Sequence, residues 1–302
     1  MRFKRVGVLM GGISAEREIS LQSGEAVADG LDESGYEVIR IDATRELDRQ
    51  LRQAQVEAVF IALHGRWGED GTVQGMLEVM GVPYTGSGPL ASALAMDKSR
   101  TRDILASAGL NVAPGIVVTD ANVPPDGGLS LPVVVKPVNE GSSVGVTIVR
   151  KMDDLETSIR KALSGSKRAL VEKYVPGIEV QVAVFDGEVL GSVEIEPHRE
   201  FYDYGAKYEQ GGSTHHIPPR LDQKAIDRAC DLGASAFAAV GCAGAARIDL
   251  ILPQEEPPVI LEVNTIPGMT PTSLLPEIAA HGGIPFVDLV FRMMEGARLH
   301  VG

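Results

Sequence analysis

Two apolar runs near the C-terminal end of the sequence, ARIDLIL (246–252) and VILEVN (259–264), each carry polar residues two positions apart. Side chains of a strand alternate between its faces, so Arg247 and Asp249 share one face, as do Glu262 and Asn264. A symmetric hairpin closed by residues 253–258 sets Asp249 opposite Glu262 and Arg247 opposite Asn264. Facing carboxylates on a half-buried sheet repel unless positive charge lies between them. A hard divalent cation resolves the conflict. Two carboxylates and an amide oxygen, with no Cys or His nearby, suit magnesium, and Asp249, Glu262 and Asn264 are its expected ligands. The competing reading is an Arg-Asp-Glu salt-bridge cluster on a solvated face. It is less favoured, because Ile248, Leu250, Leu261 and Val263 claim the other face for a core, and a single arginine would not need Asn264.

A second constellation surrounds Lys136, which closes an apolar run and precedes Pro137 and the glycine-rich EGSSVG (140–145). A lysine at the end of a buried strand must reach water or meet an anion. The glycine-rich loop offers backbone N–H groups and the hydroxyls of Ser142 and Ser143 to phosphate oxygens. Alone it reads better as a plain hairpin turn. Joined to Lys136, Lys98 and the carboxylate pair, it reads as a phosphate site. It is not a P-loop, since no GK[ST] occurs in the chain. The segment GSGPLA (86–91) matches a dinucleotide fingerprint, but the stretch about twenty positions on, where a second strand should end in the ribose-binding acid, reads as helix and loop. Glu16, at a helix start that Ser14 is expected to cap, and His64, at a strand end, have ordinary explanations as a dipole partner and a turn residue.

The elements that must position these groups fall into two patterns. Up to about residue 94, buried strand runs (6–10, 37–41, 58–63 and 82–85) alternate with helices, as in an open parallel α/β sheet. Gly11-Gly12, His64-Gly65 and Gly86 to Gly88 come just after strand ends, where such sheets bind ligands. A helix is predicted over 91–108, ending at Gly109. From there the pattern is α+β and rich in hairpins: strands at 131–138, 144–149, 169–175 and 179–185, a helix starting at Asp153, and a turn at Asp186-Gly187. The polar and aromatic stretch 197–219 reads as a lid. Asp222 caps a helix ending at Gly241, and Pro285 opens a last one.

The chain has 302 residues and a formal charge of -13, which disfavours nucleic acid and anionic membrane as partners. Two cysteines, Cys230 and Cys242, make neither a disulfide framework nor a CxxC site and fit a reducing compartment. The basic residues before 6–10 mimic a signal peptide whose apolar run is too short. A soluble, cytoplasmic protein is expected.

Seven motifs, in order, resemble those of the D-alanine–D-alanine ligase family within the ATP-grasp superfamily: GGISAEREIS (11–20), LHGRWGEDGTVQG (63–75), MDKSRTR (96–102), VKPVNEGSSVGV (135–146), FYDYGAKY (201–208), RIDL (247–250) and EVNTIPGMTPTS (262–273). The resemblance spans nearly the whole chain. It implies an N-terminal substrate domain (1–94) and an ATP-grasp domain (95–302) whose central lobe, about 95–175, and C-terminal lobe, about 176–302, hold ATP between them. Lys98, Lys136, Ser143 and, from the lid, Lys207 would meet phosphates; Glu172, Lys173 and Glu179 would contact adenine and ribose. Asp249, Glu262 and Asn264 would hold two magnesium ions, for which manganese can substitute.

By the same resemblance Glu16, linked to Ser142 and Tyr208, would hold the ammonium of a first D-alanine, with His64 near its carboxyl group. Arg247 and the backbone of Gly268 would form an oxyanion site, and Ser273 with Leu274 would receive the carboxylate of a second D-alanine. The implied reaction passes through D-alanyl phosphate to D-alanyl-D-alanine, a peptidoglycan precursor, in a homodimeric enzyme. Gly205 departs from the larger residue expected in the lid motif. A D-lactate-using ligase is the nearest alternative, disfavoured by Tyr208 in AKY; a dinucleotide-dependent oxidoreductase and a binding protein without turnover are more distant.

Overall fold

The structure, a computed structural model, describes residues 1–121, 130–141, 144–198 and 212–301. Buried apolar runs build a three-stranded parallel sheet in the order β2-β1-β3, from β1 (Arg5–Met10), β2 (Glu37–Asp42) and β3 (Ala58–Ile61). The connections are α1 (Arg17–Glu33) and α2 (Leu47–Ala54). The expected fourth strand at 82–85 is reduced to single bridges from Tyr84 to Val59 and to Arg298. Tyr84 lies beside Val59 of β3 on one edge and exchanges two backbone hydrogen bonds with the tail residue Arg298 on the other.

After α3 (Thr72–Met80), the single helix predicted over 91–108 is two: α4 (Pro89–Met96) and α5 (Lys98–Ser107). Asp97 separates them in an extended conformation, and its carboxylate accepts from the N–H groups of Ser99 and Arg100. A capping side chain thus ends one helix and starts the next. The break puts Lys98 at the first position of α5. Burial pushes the Asp97 carboxyl up, but hydrogen bonds from Ser99, Arg168 and the Arg100 N–H outweigh it and hold it below its ordinary value.

A four-stranded antiparallel sheet comes next, in the order β4-β7-β5-β6, from β4 (Gly115–Val118), β5 (Val133–Pro137), β6 (Thr147–Val149) and β7 (Ala169–Lys173), with α6 (Leu155–Gly165) on one face. A five-stranded antiparallel sheet completes the fold, in the order β10-β9-β8-β11-β12. Its strands are β8 (Ile178–Phe185), β9 (Glu188–Pro197), β10 (Ser213–His216), β11 (Ala245–Leu252) and β12 (Val259–Asn264). Asp186 and Gly187, both with positive φ, form the tight turn between β8 and β9. Asp222 caps α7 (Gln223–Val240) through the Ala225 N–H, as predicted, and Gly241 ends it in the left-handed conformation.

A helix not expected from the sequence, α8 (Leu274–His281), precedes α9 (Phe286–Glu295). Leu275 and Ile278 of α8 and Leu289, Val290 and Met294 of α9 share one core with Val6, Val8, Val27 and Leu31 of the N-terminal region. Tyr36 donates to Glu295 at 2.5 Å, and the Arg2 N–H to the same carboxylate at 2.8 Å. The tail is tied further by Glu78 of α3, which accepts from Tyr84 and from the His300 N–H, both at 2.7 Å. Among the described residues no single helix is long and apolar enough to cross a membrane.

Candidate active site

The hairpin inferred from sequence forms with the inferred register at its functional end: Asp249 opposes Glu262, and Arg247 opposes Asn264. Beyond Asp249 the register slips by one residue, so Leu250 pairs with Ile260 and Leu261 bulges. The symmetric closure at 253–258 is therefore incorrect. So is the assignment of Leu261 to the core face. The bulge turns Leu261 into a cleft, while Ile248, Leu250 and Val263 are buried in the core as expected.

The cleft, of about 360 Å³, lies between the two antiparallel sheets. Its walls are largely apolar, with Val134, Val146, Ile178, Ile195, Ile251 and Leu261 facing inward. One end is polar, where Lys98, Lys136, Asp249 and Glu262 gather. Lys136 does meet an anion, but the anion is the chain's own: its ammonium lies 2.5 Å from the Glu172 carboxylate, and both side chains are buried. The pair sits diagonally across β5 and β7, where Glu172 opposes Val134. Glu179 accepts from Gln181 at 3.1 Å, and Lys173 reaches outward to 3.8 Å from Glu256.

Three further charged residues of the cleft were not singled out from the sequence. Glu194 is buried and accepts from the Arg220 guanidinium at 2.5 Å and from its N–H at 2.8 Å. Burial pushes the Glu194 carboxyl up, but the Arg220 bonds prevail and hold it below the usual carboxylate range. Glu196 accepts from Arg220 and pairs with His216 at 2.7 Å. The signal was present in EVLGSVEIEP, where two glutamates stand two apart in an apolar strand, as in RID and EVN.

A smaller cavity of about 70 Å³ adjoins the polar end of the cleft. It brings together Glu16, His64, Arg247, Asn264 and Gly268, five predicted residues spread over the whole chain, and adds Glu69 and Gly141. Lys98 and Glu262 line both cavities, with the Lys98 ammonium 3.5 Å from Glu262 and donating to the Glu140 carbonyl at 2.7 Å. Arg247 forks onto both oxygens of Asp249 at 2.8 and 2.9 Å. Ser14 does not cap α1; its hydroxyl accepts from the Glu16 N–H at 3.1 Å and donates to the His64 carbonyl at 2.7 Å, tying two cavity residues together. Gly141 lies so near Glu16 that a Cβ there would come within 3.0 Å of Glu16 Oε2.

Ser273 and Leu274 are not cavity-lining. Ser273 sits at the N-terminus of α8, its hydroxyl 2.8 Å from Thr270 Oγ1, close behind Gly268. The Leu274 side chain is buried in the core, so only its backbone can serve a ligand. Ser142, Ser143, Lys207 and Tyr208, with Gly205, lie outside the described residues.

Asp249 and Glu262 face each other, and the Asn264 amide oxygen accepts from the Ile266 N–H at 3.0 Å, which turns that oxygen to a fixed direction. Hard oxygen donors on one sheet face fit a hard cation, and with only two carboxylates the site suits one that brings phosphate oxygens with it. Among the described residues no cluster of three or more acidic, His or Cys side chains forms a self-sufficient metal cage. The dinucleotide-like segment is packed shut: a Cβ on Gly88 would meet His300 at 2.8 Å, and the Ser87 hydroxyl is bonded to Ala243.

Comparison with known proteins agrees with this geometry. Residues 104–295 match the family model for the D-ala D-ala ligase C-terminus, and 43–87 match that for its N-terminus. The chain is 48% identical to the D-alanine–D-alanine ligase of Citrifermentans bemidjiense, over 100% of this chain and 98% of the relative. It is 47% identical to that of Geotalea uraniireducens, with the same coverage. Among solved structures, the D-alanine–D-alanine ligase of Bacillus anthracis complexed with ATP superposes with a TM-score of 0.86 at 32% identity, covering 97% of each chain. The VanG D-Ala:D-Ser ligase of Enterococcus faecalis gives 0.83 at 30% identity, covering 97% of this chain and 99% of the other.

Proposed function

Because this chain belongs to the D-alanine–D-alanine ligase family, we infer that it is an ATP-dependent ligase joining two D-alanine molecules into D-alanyl-D-alanine for peptidoglycan synthesis. One observation carries the reading: Lys98 and Glu262 belong to both cavities, so a nucleotide in the larger and an amino acid in the smaller would meet at their junction.

The residues divide the work by charge. A carboxylate is a poor acyl donor because its leaving group is oxide; transferring the γ-phosphoryl group to it gives an acyl phosphate. Lys98 and Lys136 supply positive charge to the transferring group, and Lys136 must share its ammonium between phosphate and Glu172. Glu172, Lys173 and Glu179 would receive the adenosine. Glu16 would hold the ammonium of the first D-alanine in the small cavity, with His64 at its carboxylate. Arg247 and the Gly268 N–H would stabilise the tetrahedral oxyanion when the second amine attacks. The N-terminus of α8, with Ser273 and the Leu274 N–H, is suited to that substrate's carboxylate. Magnesium, held by Asp249, Glu262 and Asn264, would supply charge neutralisation on the phosphates. Roles for Ser142, Ser143, Lys207 and Tyr208 rest on the motif resemblance alone. A cytoplasmic location and a homodimer belong to the same proposal, the latter open to light scattering on the purified protein.

The deciding experiment measures phosphate release from Mg-ATP with a panel of D- and L-amino acids and D-lactate. Release stimulated by D-alanine, with D-alanyl-D-alanine as product, is expected. Release indifferent to D-alanine, or dominant ester formation with D-lactate, would overturn the assignment.

A further inference from the structure

Ser23 lies on the inward face of α1, fully buried, and lines neither cavity. Its hydroxyl is 3.1 Å from His64 Nε2 and accepts from the Met269 N–H at 3.2 Å. It therefore touches a residue of the smaller cavity and the peptide that comes after Gly268. These partners are 41 and 246 positions away in the chain.

The hydrogen atoms can be accounted for. A buried hydroxyl hydrogen needs an acceptor. Ser23 already accepts from Met269, and the acceptor within reach of its hydrogen is His64 Nε2. Nε2 then carries a lone pair, and the ring proton of neutral His64 resides on Nδ1. Glu69 Oε1 lies 3.5 Å from Nδ1, on the cavity side, where an N–H is favoured over a lone pair. The opposite tautomer would leave the Ser23 hydrogen without a partner and turn a lone pair toward an incoming carboxylate, which repels it.

We propose that Ser23 is a positioning residue for the ligation: it fixes His64 as the Nδ1–H tautomer, a donor to the first substrate's carboxylate, while anchoring the Gly268–Met269 peptide beside the oxyanion site. The proposal rests on the ligase reading and on the roles of His64 and Gly268 within it. One buried oxygen of the N-terminal region thereby sets two groups that act on the same carboxyl carbon. Such orientation governs rate more than ground-state affinity for ATP, which binds in the other cavity.

The test has two arms. Full-length protein with ¹⁵N-labelled histidine, free of substrates, is examined by long-range ¹H–¹⁵N correlation, with His64 identified by its loss in His64→Gln. The Nδ1–H form is expected to dominate in the wild type and to lose that dominance in Ser23→Ala. In the second arm, Ser23→Ala is expected to lower kcat about tenfold or more and to raise KM for D-alanine with KM for ATP unchanged, and Ser23→Thr, which restores the hydroxyl, to recover most of the loss. A dominant Nε2–H signal in the wild type would overturn the proposal even if Ser23 variants fold poorly. So would a folded Ser23→Ala enzyme with wild-type kinetics for D-alanine. The tautomer measurement needs no turnover, so this proposal and the ligase reading fail separately.

Discussion

The two cavities that meet at Lys98 and Glu262 are built in opposite ways. The larger is a gap between two sheet faces, and its lining sits on strands at two-residue intervals: Val134 and Lys136 on β5, Asp249 and Ile251 on β11. The smaller is assembled from strand ends, helix starts and loops drawn from positions 16 to 268. A ladder of hydrogen bonds holds the first in shape. The second depends on single contacts, such as Ser14 between Glu16 and His64. Substitutions should therefore act locally and by charge in the cleft, and sterically in the small cavity.

The largest effect is expected at the junction, where the contrast should vanish. Glu262→Gln removes charge from both cavities, and kcat for phosphate release should fall at least about 100-fold with the melting temperature nearly unchanged, since the side chain faces away from the core. Near-wild-type turnover would break the metal assignment. In the cleft, Lys136→Met should raise KM for ATP and leave Glu172 as a buried, uncompensated carboxylate, costing about 3 kcal/mol in urea unfolding. If stability is unchanged, the pair does not carry the charge balance ascribed to it.

In the small cavity, one methyl group should matter. Gly141→Ala would press on Glu16 Oε2 and is expected to raise KM for D-alanine about tenfold while KM for ATP stays within a factor of about two. Equal changes in both constants would erase the distinction between the cavities. The smallest effect concerns the mount of Lys98. The Asp97 carboxyl is depressed on folding, so its ionised form contributes stability above its unfolded value of 3.8, and that contribution is lost as pH falls through the lower folded value. Asp97→Asn keeps a capping side chain but loses the charge facing Arg168; it should cost about 1 kcal/mol at pH 7, shrinking as the pH falls below that range, in melts recorded across pH.

The same contrast explains what was legible in the sequence. Alternation in ARIDLIL and VILEVN was enough to put Arg247 with Asp249 on one face and Glu262 with Asn264 on one face, because a strand's period is local; the pairing of Asp249 with Glu262 came from a symmetric closure, and it holds only because a one-residue bulge offsets a different turn. The bulge at Leu261 was not legible, since one extra residue in a strand leaves its apolar run unbroken. The break at Asp97 was hidden within a continuous helical pattern, although an aspartate two residues before a serine is a capping signal. Glu16, His64 and Gly268 entered through motif resemblance; nothing in their spacing announced that they share a cavity. Ser23 reads as a small residue on a helix's buried face, and Glu69 as a loop acid, because their partners lie far along the chain.

The packing of α9 against the N-terminal core has a consequence in time. Glu295, which accepts from Tyr36, is made 259 residues after it. At a synthesis rate of about 5–20 residues per second, roughly 13 to 50 s pass before β1 and α1 gain the cover of Leu289, Val290 and Met294. Throughout that interval the nascent N-terminal sheet lacks the cover of its apolar flank, and the chain's earliest segment is among the last to reach its finished form.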